Sequence, residues 1–279
     1  MSDYFWYFFG SFCIIFGHFR PIFNPFFIFL PSFSTLLLTF FTAKVVAALP
    51  PDAQLDHVRR LSLPMLQYLH LAGQSTSSTN ADLPTICTML DRFSAVIKPQ
   101  KTFTSASNAV HNAAMTVFMD AWPVLCRLLT LFSDQVDIVE HACRCIRAAV
   151  IAAGSLYTPL FSQTLDVLMQ LFVAYGHYSC LYASRALVEA FGGIAESHNA
   201  LFKFYQAIAQ YVLQLNSPSD KMVEDFADLT IDHVKYYVAP VVPLLDGLFQ
   251  FFIAGLTRFA NVREVVIVVS DVFYDIIRT

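Results

Sequence analysis

Apolar residues recur at helical spacing along most of this 279-residue chain, and the alternating pattern of a β-strand is scarce. Two helices are predicted at 55–71 and 83–98; Asp82 can cap the second, and Lys98-Pro99 ends it. Eight further helices are predicted near 110–131, 136–153, 158–175, 179–191, 197–215, 220–238, 241–256 and 261–277. Glycine, proline and short polar runs separate them, as at Gly154 and 216–220.

Taken in pairs, these helices form hairpins that begin near residues 110, 158, 197 and 241, at intervals of 48, 39 and 44 residues. Two-helix repeats of about 40–47 residues are typical of HEAT and armadillo-like solenoids. We therefore predict an all-α fold, a HEAT/armadillo-like α-α superhelix of stacked helix pairs from about 52 to 277, with no sheet. A compact helical bundle is the competing architecture.

The amino-terminal 44 residues differ in composition from the rest of the chain. Between Tyr4 and Ala43 the only charged residue is Arg20, and 13 of the 28 phenylalanines precede Thr42. The chain is therefore predicted to divide into a Phe-rich apolar segment, 1–44, and a helical-repeat region, 45–279. Three interpretations of the segment stay open: a transmembrane helix, a buried helix, or a non-native start translated from non-coding sequence.

Residues 21–43 carry the membrane interpretation, because they lack charge and are long enough to span a bilayer. Pro21, Pro25 and Pro31 weaken it, since each removes a backbone donor from the helix that a span requires. A cleaved signal peptide fits poorly, because the basic start is missing and the apolar run is too long.

Charge and motifs narrow the function classes. A net charge of −4 gives no basic excess, so a nucleic-acid-binding surface is not expected. The six scattered cysteines do not resemble a secreted disulfide scaffold and favour reduced thiols in the cytosol or nucleus. The sequence contains no G-x-S-x-G, P-loop, H-E-x-x-H or dinucleotide turn, so neither an enzyme nor a cofactor is predicted. Asp225 and Asp228 are expected to lie on a solvated helix face rather than to form an acid/base pair.

The stretch VEHACRCIRAAV, 139–150, is the most informative part of the chain. Cys143 lies in the apolar face of this helix and is expected to be a small buried hydrophobe. Cys143 and Cys145 are two residues apart, so they point in different directions and cannot jointly bind a metal. The predicted apolar face comprises Val139, Ala142, Cys143, Ile146, Ala149, Val150 and Ala153.

Glu140, Arg144, Arg147 and Ile151 form a stripe beside that face. One interpretation is an ordinary ion pair between Glu140 and Arg144 on the surface. The other is that Arg144 and Arg147, with His141 nearby, face the concave side of the solenoid and bind phosphate, for which guanidinium groups are suited. Both interpretations stay open on the residues alone.

Four blocks carry a family resemblance: AWPVL (121–125), VEHACRCIRAAV (139–150), HYSCLY (177–182) and LVEAFG (187–192). Together they resemble the transportin-SR (transportin-3 type) nuclear import receptors of the importin-β superfamily. The resemblance covers roughly 83–277 and, more weakly, reaches back to 45. It matches late-middle and C-terminal repeats of these long HEAT solenoids. The resemblance implies a receptor, or a fragment of one, in the nucleus and cytoplasm that carries Arg/Ser-rich splicing factors through the pore and releases them to Ran-GTP.

The resemblance also implies site residues. In this family the helix matching 139–151 is arginine-rich and contacts phosphorylated Arg-Ser segments, so Arg144, Arg147 and the neighbouring His141 are implied to bind phosphorylated cargo. His141 and Ile151 stand where the family pattern has arginine, which puts the strength of that recognition in question.

Other partners follow from the same resemblance. Ran-GTP binding is expected to be weak or absent, because the family's early repeats have no counterpart in this sequence. Phe-Gly repeats of pore proteins are further implied partners; Phe202, Phe204 and Tyr205 could form pockets for them but at helical spacing are more often core. The alternative function is a membrane-anchored helical-repeat scaffold, which rests on 21–43.

Overall fold

The computed structural model describes residues 32–74, 82–100, 103–104, 110–237 and 241–278. Within these ranges, three short 3-10 helices lie at Gly154–Tyr157, Ala195–Ser197 and Val242–Leu244. The α-helices in the described part are α1 Ser32–Ala47, α2 Pro51–Gly73, α3 Leu83–Ile97, α4 Ala113–Leu131, α5 Val136–Ala153, α6 Thr158–Tyr175, α7 Ser179–Phe191, α8 His198–Val212, α9 Asp220–Tyr236, α10 Leu245–Arg258 and α11 Arg263–Arg278.

The helices pack as a linear stack of hairpins. Helices α1, α3, α5, α7, α9 and α11 follow one another side by side and form what we call the odd row. Helices α2, α4, α6, α8 and α10 form the even row on the other side of a shared core. From α4 onward the odd row is the more closely spaced of the two, because α4 and α6, and likewise α8 and α10, approach less closely than their odd neighbours. A curved stack of repeats places its more closely spaced row on the inner side.

The predicted solenoid is confirmed in architecture and in period. The hairpins from α4 onward begin at residues 113, 158, 198 and 245, so the repeat length is 45, 40 and 47 residues. The core runs continuously along the stack rather than around a single centre. Phe204 and Tyr205 are buried in it and Phe202 is half-buried, so the core interpretation of these aromatic residues holds.

The expectation of a region without any sheet is wrong at one place. The long connection between α3 and α4 contains two short strands, β1 Phe103–Thr104 and β2 Val110–His111, paired antiparallel. The antiparallel pairing folds the connection back on itself, and β2 leads directly into Asn112, which caps α4. Asn112 accepts a hydrogen bond from the Met115 amide at 2.9 Å and donates one to the Ala152 carbonyl at 2.6 Å. Four strand residues leave the fold class unchanged.

Local signals explain where several helices begin and end. Asp82 caps α3 as predicted, with its carboxylate accepting from the Thr85 amide at 3.2 Å. Gly154 follows α5 with φ +55°, and Gly176 follows α6 with φ +70°. Both are conformations that glycine adopts without a steric penalty, so each allows a sharp exit from its helix.

Helix α1 carries part of the apolar amino-terminal segment into the stack. Its Ala43 and Val46 are buried against α2 and α3. Gln100 donates to the Ala43 carbonyl at 3.3 Å, and Gln54 donates to the Ala47 carbonyl at 3.1 Å. Residues 32–47 thus pass through residue 44 as one helix of the odd row. The division at that residue stays a prediction, and residues 21–31 of the candidate span lie outside the described residues.

Two helical stretches of the described chain are long and apolar enough to cross a membrane by length and composition: Ala113–Leu131 and Val136–Tyr175. About half of each stretch is buried inside the stack, with 50% and 56% of their most apolar windows covered. They contain α4, α5 and α6, which supply core to neighbouring repeats. Their hydropathy is therefore weak support for a membrane protein.

Candidate functional site

The apolar face predicted for α5 is buried as expected. The members of that face are at most 2% exposed, and Cys143 is a fully buried free thiol. Cys145 is also buried, where its thiol donates to the Leu90 carbonyl at 3.1 Å and burial raises its pKa. Helices α3, α4 and α7 all pack against α5, so only a narrow strip of it reaches solvent. No cluster of metal-ligating side chains occurs among the residues that the structure describes.

Arg144 lies on that strip and is paired with carboxylates. Its side chain is 45% exposed and forms an ion pair with Glu140 one turn earlier. A second carboxylate approaches from α3, where Asp91 Oδ1 lies 3.8 Å from Arg144 Nη1. The ordinary i, i+4 ion pair considered for this residue is therefore present in the structure.

His141 is held by the same aspartate. Its Nδ1 lies 2.6 Å from Asp91 Oδ1, and the imidazole is only 20% exposed. Asp91 thus contacts both His141 and Arg144 and links α3 to α5. An incoming anion would have to compete with this carboxylate at either residue.

Arg147 has different surroundings from Arg144. Its guanidinium lies over the Tyr182 ring of α7, 4.5 Å from the ring centroid. Its Nε is buried without a hydrogen-bond partner, and no carboxylate of the described chain lies within ion-pair distance. Arg147 is therefore the half-buried cation on α5 whose charge no side chain of the described chain neutralises. One turn further along α5, Ile151 is 52% exposed, so the exposed strip ends in an apolar side chain.

Helix α9 places carboxylates across α7 from these arginines. Arg185 of α7 binds Asp228 and also Asp232, whose Oδ2 lies 2.8 Å from Arg185 Nε. Lys221 binds Glu224 and Asp225 at 3.2 Å each. The expectation of a solvated face is wrong for Asp225, which is buried because α7 and α11 flank α9 on both sides. Asp228 is 26% exposed but is paired with Arg185.

Asp225 is the most buried of these carboxylates. Its side chain is 3% exposed, and its Oδ2 has no hydrogen-bond partner. Burial raises the pKa of Asp225 to about 6, while the nearby Lys221 lowers it. A buried carboxylate oxygen without a donor is costly, so this position favours an additional donor. Sequence reasoning missed it because hydrophobic periodicity does not reveal which helix has two odd-row neighbours.

The blocks AWPVL, HYSCLY and LVEAFG occupy packing positions between repeats. Trp122 in the middle of α4 donates to Gln163 of α6 at 3.0 Å. His177 hydrogen-bonds to the Ser133 carbonyl of the preceding hairpin at 2.7 Å. Gly192 packs so closely on Tyr236 that a Cβ atom there would lie 2.5 Å from the tyrosine ring. Three of the four blocks therefore define how successive hairpins dock.

The comparison with protein-family models agrees with this geometry. Residues 112–216, which span α4 to α8, match the model described as the Transportin-3/Importin-13 fourth TPR domain. This part of the chain, 105 of its 279 residues, is therefore similar to a transportin-3/importin-13 domain. The match supports a transportin-3 type fragment of the importin-β superfamily, and the resemblance seen in the four sequence blocks is confirmed. The repeat length of 40 to 47 residues is nearer to that of HEAT repeats than to the 34 residues of a tetratricopeptide repeat.

Proposed function

We propose that this chain is a non-enzymatic nuclear transport receptor, or part of one, that carries Arg/Ser-rich protein cargo between cytoplasm and nucleus. The family match over 112–216 supports the receptor class. The observation that carries the cargo proposal is Arg147, a half-buried guanidinium over Tyr182 with no carboxylate partner in the described chain. Because phosphoserine brings nearly two negative charges and three acceptor oxygens, it suits such a group.

The odd row is complementary to a peptide with alternating charges. Phosphorylated Arg-Ser repeats present anions and cations in turn, and the row presents cations on α5 and carboxylates on α9. Arg147 would take a phosphate, while an arginine of the peptide would lie towards the partly exposed carboxylates of α9, Glu224 and Asp228. The closer spacing of the odd row supports placing this surface on the inner side of the superhelix.

Arg144 and His141 belong to the proposed surface in a secondary role. Arg144 must loosen its contacts with Glu140 and Asp91 before it can bind a phosphate with both of its amino groups. His141 must likewise release Asp91. The net gain from either residue is therefore smaller than that from Arg147.

The test is fluorescence anisotropy with phosphorylated and unphosphorylated Arg-Ser peptides. The double variant Arg144→Ala, Arg147→Ala should weaken phosphopeptide binding by about tenfold or more, since charged hydrogen bonds contribute about 1.5–3 kcal/mol each. Arg60→Ala is the matched control, because Arg60 forms an i, i+4 pair with Asp56 on α2 of the even row. If the double variant binds each peptide with the same affinity as the wild type, Arg144 and Arg147 are only part of a salt-bridged surface.

Release by Ran-GTP and contact with Phe-Gly repeats of pore proteins belong to the same proposal and rest on the family match alone. Weak or absent binding of Ran-GTP is the expectation for this chain. Calorimetric titration tests it, and a submicromolar affinity would contradict it.

A further inference from the structure

Two pairs of successive hairpins in the described stack are joined by contacts in equivalent positions, which we call the seam. In each case the loop of one hairpin touches the last turn of the even-row helix in the next hairpin. The Ser133 hydroxyl of the α4–α5 loop donates to the Tyr175 hydroxyl of α6 at 2.9 Å. The Ser217 hydroxyl of the α8–α9 loop accepts from Arg258 Nη1 of α10 at 2.6 Å. These two contacts are equivalent in position but differ in chemistry.

Ser217 has the features of a kinase substrate. It is exposed and lies in the irregular loop between α8 and α9, with exposed Gln214 and Asn216 before it. Pro218 follows it directly, which is the dipeptide that proline-directed serine/threonine kinases modify. Ser133 is followed by Asp134 instead, so the equivalent serine of the earlier hairpin lacks this signal.

Arg258 has the features of a residue that binds a phosphate group. Its side chain is exposed, its guanidinium lies 5.2 Å from the Phe259 ring centroid, and no carboxylate of the described chain pairs with it. It lies at the rim of an open groove of about 250 Å³ between the α8–α9 loop and α10, which Leu213, Pro218 and Phe251 also line. Ser217 is exposed, and its chain neighbours Asn216 and Pro218 line the groove, so a phosphoryl group on Ser217 would lie beside the groove and close to Arg258.

We propose that Ser217 is a phosphorylation site for a proline-directed kinase, and that its phosphate binds Arg258 and strengthens the seam between the α8–α9 and α10–α11 hairpins. In the transfer, the bond between the γ-phosphorus of ATP and the bridging oxygen breaks as the bond to Ser217 Oγ forms. ADP leaves with that oxygen, and the hydroxyl proton passes to the catalytic base of the kinase. This site rests on no part of the proposed cargo surface.

The strengthening follows from the charge of the phosphate. The present contact joins a guanidinium to a neutral hydroxyl, whereas a phosphate accepts from the same guanidinium bidentately and with charge assistance. The phosphate would also lie near the amino terminus of α9, whose dipole favours negative charge. Asp220 is the exposed carboxylate at that helix start and opposes the effect, but the Asp220 side chain already accepts from the Lys221 amide at 2.8 Å. Because each repeat touches only its neighbours, the gain should be felt mainly by the carboxy-terminal hairpins.

The experiment phosphorylates the full chain with a proline-directed kinase and Mg-ATP. Intact mass should show one added phosphoryl group, and peptide mapping should place it on Ser217. The modified chain should melt about 2–4 °C higher than the unmodified one, the size expected when one charged contact is gained in a domain of this length. Hydrogen exchange should slow at 213–220 and 255–259.

Four variants decide the outcome. Ser217→Ala should lose the modification, Pro218→Ala should lose it while keeping the hydroxyl, and Ser133→Ala should keep it. Arg258→Gln should be modified as well as the wild type yet show no rise in melting temperature. The proposal is overturned if the folded chain is not modified under conditions that modify the isolated 212–222 peptide. An equal rise, or a fall, in the Arg258→Gln variant would equally overturn the role of Arg258.

Discussion

The contacts α5–α7 and α7–α9 each bury one arginine between neighbouring helices of the odd row, but they surround its guanidinium differently. Arg185 at the second contact binds two carboxylates, Asp228 and Asp232, and its side chain is 25% exposed. Among the described residues, the guanidinium of Arg147 at the first contact meets the face of Tyr182 and no carboxylate. Burial lowers the pKa of Arg185 and the carboxylates raise it, and the carboxylates prevail. No carboxylate of the described chain lies within ion-pair distance of Arg147.

The difference separates an arginine that stabilises the stack from one that is available to a ligand. Two carboxylates accept from Nε and Nη1 of Arg185 and neutralise its charge, so an outside anion would gain little at the α7–α9 contact. An aromatic ring contacts only the face of a guanidinium and leaves its edge free. Changes at the α5–α7 contact should therefore alter peptide binding. Changes at the α7–α9 contact, and changes of pH, should alter the free energy of unfolding.

The largest expected effect is the loss of Arg185. Arg185→Ala leaves Asp228 and Asp232 partly buried without a cation, and it should lower the free energy of unfolding by about 2–4 kcal/mol, since an uncompensated buried charge is costly. Arg147→Ala removes no ion pair and should cost less than about 1 kcal/mol. Urea unfolding followed by circular dichroism measures both. Equal losses in the two variants would mean that the two contacts do not differ in this way.

The next effect is a pH dependence at the α7–α9 contact. The pKa of Asp225 is about 6 in the folded chain, above its ordinary value near 3.8, because burial disfavours the carboxylate. The folded state then binds more protons than the unfolded state between these values, so Asp225 contributes a loss of stability as pH rises from about 4 to 6. Asp225→Asn should match the wild type below pH 4 and exceed its free energy of unfolding by about 3 kcal/mol above pH 6.

The comparison must be made as a difference between variant and wild type. His233 is buried in the same helix, and burial lowers its pKa to about 4, so its contribution rises with pH over part of the same window. Subtracting the free energy of unfolding of the wild type from that of the variant at each pH cancels the contribution of His233. Lys221→Gln provides a second check, because removing this cation should raise the pKa of Asp225 and shift the window to higher pH. A variant-to-wild-type difference that does not change with pH would contradict the prediction.

Much of the helix stack could be predicted, because its signals are local. The helical period of 3.6 residues, the caps at Asp82 and Gly154, and prolines in a first turn such as Pro159 indicate where helices begin and end, although Pro64 and Pro123 lie inside helices. The apolar face of α5 followed from the helical spacing of its residues, which also placed Arg144 and Arg147 beside that face. The strand pair between α3 and α4 could not be seen, since it consists of four residues without an alternating run.

The sequence does not show which side chains pair across helices. Nothing local shows that Asp91, 50 residues before His141, reaches that imidazole and also Arg144. Nor does the pattern of α9 show that Asp225 is buried. Both depend on which helices become neighbours in the odd row, so the sequence predicted which residues form the strip but not which of its cations are already neutralised.

Peptide binding should distinguish the two arginines of α5. Arg147→Ala should weaken binding of a phosphorylated Arg-Ser peptide by about tenfold, whereas Arg144→Ala should weaken it only about two- to threefold, because Arg144 must first leave its carboxylates. Anisotropy titrations of the single variants measure both. Arg147→Lys should recover binding in part, since the charge returns without the planar fork.

Glu140→Gln sharpens this test. It frees Arg144 from its closest carboxylate, so the contribution of Arg144 should rise and the difference between the two alanine variants should shrink when they are made in this background. If Arg144→Ala proved the more damaging change in the native background, the assignment of Arg147 as the main phosphate-binding residue would be wrong.

The smallest effect comes from adding an arginine to the strip. Ile151 is exposed one turn beyond Arg147 and meets no described carboxylate, so Ile151→Arg adds a free guanidinium beside the existing one. Affinity for the phosphopeptide should rise by about threefold, a modest gain because the added side chain is solvated and flexible. Ile151→Gln is the matched control for the loss of the apolar side chain and should leave binding unchanged. His141→Arg places the same group next to Asp91, which would bind it as it now binds the imidazole, so this variant should gain little. A larger gain at position 141 than at 151 would show that neighbouring carboxylates do not decide which cations of α5 reach the ligand.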